Sequence, residues 1–237
     1  MSKLYERYAS NVIGLLSQIV TDEQAGIRRA GELIAESVMN GGILQAFGSG
    51  HSYAAAVEIC DRAGGLLPAK VLREPSFGEY ERIEGVGRQF CDKVDVQSND
   101  VAVVVSTSGR NPMVIEIAGF FKEAGVPVIA VTSLAVSKGM TSRHSSGKML
   151  YELADVVLDT HGELGDAIME VPGLPEKAGA TSSFTSMLLL DCAVLHSMTV
   201  MLDHGFTPPV LRSRNVDGGM EANEQVEGRY GARLKRF

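Results

Sequence analysis

Apolar residues recur at helical spacing over residues 3–20, where Leu4, Tyr8, Val12, Leu15, Leu16 and Ile19 share one face. A second stripe, Ile27, Ala30, Leu33, Ile34 and Val38, predicts a helix that starts after Thr21, whose hydroxyl with Gln24 three residues on resembles a capping box. It stops at Asn40-Gly41-Gly42. The pattern then changes. Val101 to Val105 is a continuous apolar run, and Ile43 to Phe47, 66–72, Val126 to Thr132 and Val156 to Leu158 are short, largely apolar stretches. Runs of this length without alternation predict strands buried on both faces. Between them lie helical stretches over roughly 53–63, ending at Gly64-Gly65, and roughly 112–124, ending at Gly125. Residues 73–98, with Pro75, Gly78, Gly85 and Gly87, predict no regular element, and residues 160–180 read as a long ordered loop. Thr181 to Leu202 predicts a helix that is apolar nearly all round, which suits burial or a subunit interface, and a homodimer or homotetramer is the expectation. The polar tail, 212–237, is expected to wrap another subunit or to stay partly mobile.

Strands alternating with helices predict a parallel sheet covered on both faces, in one domain with helical additions at each end. In such sheets ligands sit beyond the carboxyl ends of the strands, at a topological switch point. Two segments fall there, Gly48-Ser49-Gly50-His51-Ser52 and Ser106-Thr107-Ser108-Gly109-Arg110-Asn111. The second places three hydroxyls and a glycine between a buried strand and a helix start at Asn111-Pro112. One helix cap uses one hydroxyl. Three hydroxyls, with backbone N–H groups and the positive end of a helix, suit a phosphate.

Composition narrows the field. The 237 residues carry a formal net charge of -7, which argues against a nucleic-acid or anionic-membrane partner. Cys60, Cys91 and Cys192 form no paired or zinc-like spacing, and with no secretory leader pattern at the N-terminus the expectation is a reduced, cytoplasmic protein. The first turn is not a dinucleotide fingerprint, because Tyr53 stands where a glycine or alanine is needed, and it lacks the Gly-Lys-Ser/Thr ending of a P-loop. No nicotinamide or other cofactor is expected. Asp159, His161, Glu163 and Asp166 match no standard zinc or calcium loop and are assigned to loop structure, with no metal.

FGSGHS with its helix, VVVSTSGRNP with its helix, and PVIAVTS resemble the sugar isomerase (SIS) domain of phosphosugar-binding proteins, over most of residues 22–205. EICDRAGGL, ERIEG, SRHSSGKMLYELADVVLD and RNVDGG further resemble a bacterial subgroup of that family. The resemblance implies a three-layer α/β/α sandwich around a five-stranded parallel sheet, of flavodoxin-like build. It also implies a sugar-phosphate ligand whose phosphate is held by Ser106, Thr107, Ser108 and Asn111, with Gly50 and Ser52 on the sugar. Arg110 is placed to add charge, and Asn215 to Gly219 to close the site.

Family members include isomerases, an etherase, deaminase-type enzymes and non-catalytic sensors. The expectation for this chain is a cofactor-independent aldose–ketose isomerase. The alternatives are a binding or regulatory module, and a lyase or deaminase acting on an amino-sugar phosphate. Moving a proton between C1 and C2 through an enediol needs a base and a second acid/base group. The candidates are Glu58 in the helix after the first turn, Glu81 (preferred over Glu79 and Glu84), His51 within that turn, and His196 on the last long helix with Asp191 as its neighbour. His144 and Lys148 are further substrate-binding candidates.

Overall fold

The computed structural model describes residues 3–234. Five parallel strands form the central sheet: β1 (Leu44–Gly48), β2 (Ala69–Val71), β3 (Val101–Val105), β4 (Val128–Thr132) and β5 (Val156–Asp159), in the order β2-β1-β3-β4-β5. Every residue of β1, β3 and β4 is buried, as their largely apolar sequences suit, and the buried Gln45 of β1 donates to the Asp95 carbonyl and to Asp100. The chain moves outward from β1 to β2, then back across to β3. The switch point therefore lies between β1 and β3, whose last residues, Gly48 and Val105, are paired in register.

Helices α1 (Leu4–Asp22), α2 (Gln24–Met39), α3 (Tyr53–Glu58) and α8 (Ser182–Asp203) cover one face of the sheet. Ile34, Leu44, Ile59, Leu189 and Leu190 are among the residues of that core. Helices α4 (Val86–Cys91), α5 (Pro112–Glu123) and α7 (Leu150–Leu153) cover the other, around Phe47, Met113, Ile117 and Phe121. A short α6 (Leu134–Lys138) follows β4. This is the three-layer sandwich that the strand–helix alternation predicts.

Several local expectations are corrected. Thr21 does not cap α2; its hydroxyl donates to the Ser17 carbonyl inside α1, and Glu23 alone separates the two helices. The helix after the first turn stops at Glu58, and Asp61 adopts a left-handed backbone (φ 53°) in place of the longer helix. Residues 160–180 contain a hairpin, β6 (Ala167–Met169) with β7 (Ala178–Ala180). Asp166, assigned to loop structure, stands just before β6 and caps α8, accepting from the Thr181 and Ser182 N–H groups at 3.1 and 2.8 Å. The tail folds back on its own chain as far as it is described, through α9 (Gly219–Glu227) and a 3-10 turn (Gly231–Leu234).

Helix α8 is long and apolar enough, by composition, to cross a membrane, although Asp191 interrupts it. It lies along α2, and Ala193 and His196 pack directly on Gly31.

Candidate functional site

The two turns leave adjacent strands, so their first residues start one strand spacing apart, about 5 Å. In the first turn, Gly48 is required. A Cβ there would come within 2.3 Å of the Ser52 carbonyl oxygen. The chain then folds into a 3-10 turn over Gly50–Ser52, leaving His51 exposed and Ser52 half-buried. The N–H groups of Gly50 and His51 donate to no other group among the described residues. Ser49 Oγ is buried and likewise lacks a partner.

The second turn is held from behind. The Thr107 carbonyl accepts from Ser133 N–H and Thr132 Oγ1, both at 3.1 Å. The Ser108 carbonyl accepts from Ser137 Oγ at 3.0 Å, and the Gly109 carbonyl from Leu150 N–H at 2.8 Å. Ser106 Oγ closes the turn by accepting from Gly109 N–H at 3.2 Å. Gly109 is left-handed (φ 58°) and a side chain there would press on Leu150, Thr132 and Ser137. With three consecutive carbonyls committed to the β4 side, the peptide N–H groups point the other way. Those of Thr107, Ser108, Arg110 and Asn111, and the hydroxyls of Thr107 and Ser108, have no partner among the described residues. A row of converging donors at a helix N-terminus is an anion cradle by construction.

Asn111, buried just ahead of α5, uses its side chain elsewhere than sequence reasoning placed it. Its Nδ2 donates to Glu81 Oε1 at 2.8 Å, and its Oδ1 accepts from Arg143 Nη1 at 2.9 Å. Its amide side chain is thus a spacer between an acid and a base, and what it can offer a ligand is its N–H. Glu81 is fixed a second time, its carbonyl accepting from Met113 N–H in the first turn of α5. Arg143 is held by its own N–H on the Arg110 carbonyl at 2.9 Å. Burial holds the Arg143 guanidinium below its usual range, as do Arg110 and Arg82 nearby, while Glu81 opposes them.

The segment between β2 and α4 bridges the two turns. Glu74, buried, gathers the Ser76 and Gly78 N–H groups onto its carboxylate at 2.6 and 3.0 Å. This lays Gly78 against the first turn, where a Cβ would come 2.8 Å from the Gly50 nitrogen. Further along, Glu116 accepts from Gly85 and Arg88 N–H, and Glu84 from the Ser145 N–H and hydroxyl. His144 Nε2 lies 3.5 Å from Glu84 and 3.7 Å from Glu116. Glu84 is thereby held below the ordinary glutamate range, chiefly by the Ser145 hydroxyl. Glu79 faces away, into an apolar cavity of about 730 Å³ beside β2 that none of the turn residues line.

Two candidates are not brought to the turns within one chain. Glu58 pairs with Arg62 at 2.5 Å and lies near Asp191, whose carboxyl is pushed up by burial and by Glu58. His196 packs on Gly31, seven residues into α2 and so roughly 10 Å along the helix from its start, and it makes no hydrogen bond among the described residues. The residues assigned to loop structure, Asp159, His161, Glu163 and Asp166, take up separate tasks. Glu163 pairs with Lys177, and Asp159 accepts from Leu134 and His161 N–H. Glu23 joins Asp159 and His161 closely enough to share an ion, and in the structure it bonds to both, at 3.1 Å to the Asp159 N–H and 3.1 Å to His161 Nε2.

Sequence reasoning missed Arg143, Glu74 and the donors Thr132 and Ser137. SRHSSGK and PVIAVTS were visible as segments, but nothing in one sequence says which residue of each faces the second turn.

The family model for the SIS domain matches residues 7–133. A UPF0309 protein of Listeria monocytogenes is 48% identical over 220 residues, 93% of this chain and 94% of its own. Another, of Halalkalibacterium halodurans, is 37% identical over 236 residues, 96% and 94% of the two chains. Among solved structures, phosphoheptose isomerase of Neisseria gonorrhoeae superposes with a TM-score of 0.58 at 23% identity, over 82% of this chain and 99% of that one. The enzyme of Francisella tularensis does so with a TM-score of 0.58 at 17%, over 83% and 98%. The NanR protein of Vibrio vulnificus, complexed with ManNAc-6P, gives 0.53 at 18%, over 96% and 70%.

Proposed function

This chain belongs to the SIS-domain family and, within it, to the UPF0309 proteins, and from that premise we propose that it binds a sugar phosphate across its two strand-end turns and interconverts the aldose and ketose forms. One observation carries the binding half. The second turn has the Thr107, Ser108 and Gly109 carbonyls engaged from behind, and its Thr107, Ser108, Arg110 and Asn111 N–H groups and the Thr107 and Ser108 hydroxyls without a partner among the described residues. The phosphate is assigned to Ser106, Thr107 and Ser108 with the Arg110 and Asn111 N–H groups. Gly50 and Ser52 of the adjacent turn face the sugar. The same fold carries the two phosphoheptose isomerases, which supports the reading.

For the chemistry, Glu81 is the proposed base, because its second attachment fixes its backbone at the start of α5 beside the cradle. His51, exposed on the first turn, is the proposed partner at the sugar oxygens. Proton transfer from C2 to C1 through an enediol conserves the redox state of the sugar, and the route so written calls on no cofactor. Anchoring the phosphate removes much of the entropic cost of aligning the carbon chain with the base.

A binding module without turnover is the second reading, favoured by the placement of Glu58 and His196 away from the turns. A lyase or deaminase acting on amino-sugar phosphates remains the third. The exposed stripe Phe184, Leu195 and Leu202 on α8 supports a homodimer or homotetramer, and the lack of a disulfide among the described residues supports a cytoplasmic setting.

The test is incubation with tetrose to heptose phosphates and amino-sugar phosphates, followed by NMR. Conversion of an aldose to a ketose phosphate is expected, with Glu81→Gln lowering turnover by at least about 100-fold at little cost in affinity, and His196→Ala leaving turnover within a few-fold. Binding without conversion of any sugar sinks the isomerase reading, and full activity in Glu81→Gln sinks the assigned base.

A further inference from the structure

The cradle of the second turn is built from neutral donors, three hydroxyls and the N–H groups behind them. Those donors are already enough for the three terminal oxygens of one phosphate. Yet three guanidinium groups, on Arg82, Arg110 and Arg143, gather at the same helix N-terminus. Each brings up to five further N–H donors in a planar fork suited to a carboxylate or a phosphate. None of the three makes an ion pair among the described residues, although they stand close enough together to act on one another. Arg110 Nε is buried with no partner. Glu81, the carboxylate that acts on Arg143, spends an oxygen on Asn111. This cluster of guanidinium groups stands in a chain whose net charge is -7.

Like charges held together without counter-charges cost free energy, and the segment that holds them is deliberately braced. Arg143 is fixed through its own N–H and through Asn111, and the residues after it through Glu84. Arg82 directly follows Glu81, which is pinned to α5.

We propose that the ligand of this site carries a second anionic group besides its phosphate, a carboxylate or a further phosphate, and that Arg82, Arg110 and Arg143 bind it. The proposal rests on the sugar-phosphate reading and narrows it to doubly anionic sugars. It makes the guanidinium group a selectivity element, set beside the neutral cradle that takes the first phosphate.

Two ligand pairs test it by calorimetry, each differing in one charged group and neither offering an enediolate mimic. Glucuronate 1-phosphate is compared with glucose 1-phosphate, and glucose 1,6-bisphosphate with glucose 6-phosphate. The expected result is at least about tenfold tighter binding of the doubly anionic member of one pair, the usual scale of a charged hydrogen bond. Which pair responds says whether the second group is a carboxylate or a phosphate. In Arg82→Gln and Arg143→Gln, which remove charge but keep an amide donor, the preference falls below about threefold while the singly anionic sugar still binds. Monophosphates that bind with no gain from the second charge, or a gain untouched by both variants, overturn this proposal alone. If none of the four sugars binds, the sugar-phosphate reading falls and takes this one with it.

Discussion

The two edges of the sheet treat charge in opposite ways. At the amino edge, Asp100 is fully buried and surrounded by donors: the Ile43 and Gln97 N–H groups, Gln45 Nε2 and Arg233 Nη2, the last at 2.6 Å. Arg233 also reaches Asp95 at 2.9 Å. Burial lowers Lys70 there, with Asp95 and Asp100 opposing it. Every charge in this cluster has a counterpart within the chain. At the carboxyl edge Arg110 and Arg82 act on Arg143 with Glu81 opposing them, and peptide N–H groups stand without partners among the described residues. Matched charge at one edge holds the tail and the sheet together. The other edge is the one we propose for binding.

That contrast can be broken. Asp100→Ala leaves Arg233 buried beside one carboxylate and strips acceptors from two backbone N–H groups, so a loss of about 3–5 kcal/mol in stability is expected by urea unfolding. A loss under about 1 kcal/mol would mean that the amino-edge cluster is not structural. Ser108→Ala is the converse. It should weaken sugar-phosphate binding by about 1.5–3 kcal/mol while moving stability by less than about 0.5 kcal/mol, because the half-buried hydroxyl has no partner among the described residues. Unchanged affinity would remove the second turn from the site.

The sharpest test in between, and the smallest effect, is at Asp191, a charge that belongs to neither edge. Its folded pKa is raised, by burial and then by Glu58. A raised carboxyl is a stabilising influence below its unfolded value, about 3.9, and that influence is lost as pH rises through the folded value. Asp191→Asn should therefore raise Tm slightly at pH 7.5, with the gain closing toward pH 4. A gain that persists unchanged at acid pH would point to packing, not charge.

The apolar runs disclosed four of the five central strands nearly to the residue, because strands buried on both faces leave no other reading of VAVVV or VIAVT. The fifth, β2, was traced over 66–72 and occupies only Ala69–Val71, since Leu66 turns away to bridge Val210 from the tail. The turns were legible for a similar reason, as hydroxyls and glycines placed where strands end. The groups that brace them were not. Glu74 clasps N–H groups two and four residues on, and Arg143 meets Asn111 from 32 residues away. Such pairings depend on how loops pack over the sheet, and loop packing leaves no periodic mark. His196 shows the opposite failure. Its place on an apolar helix was visible, but which side of that helix meets α2 was decided by the glycine at 31.

The way Thr132, Ser133, Ser137 and Leu150 grip the second turn has an evolutionary consequence. A receptor made of peptide N–H groups belongs to the backbone, and any residue other than proline supplies one. Descendants of this chain can rewrite the side chains of this turn and still inherit its row of N–H donors. A change at one hydroxyl then costs that hydroxyl's share of the grip and leaves the rest of the frame in place.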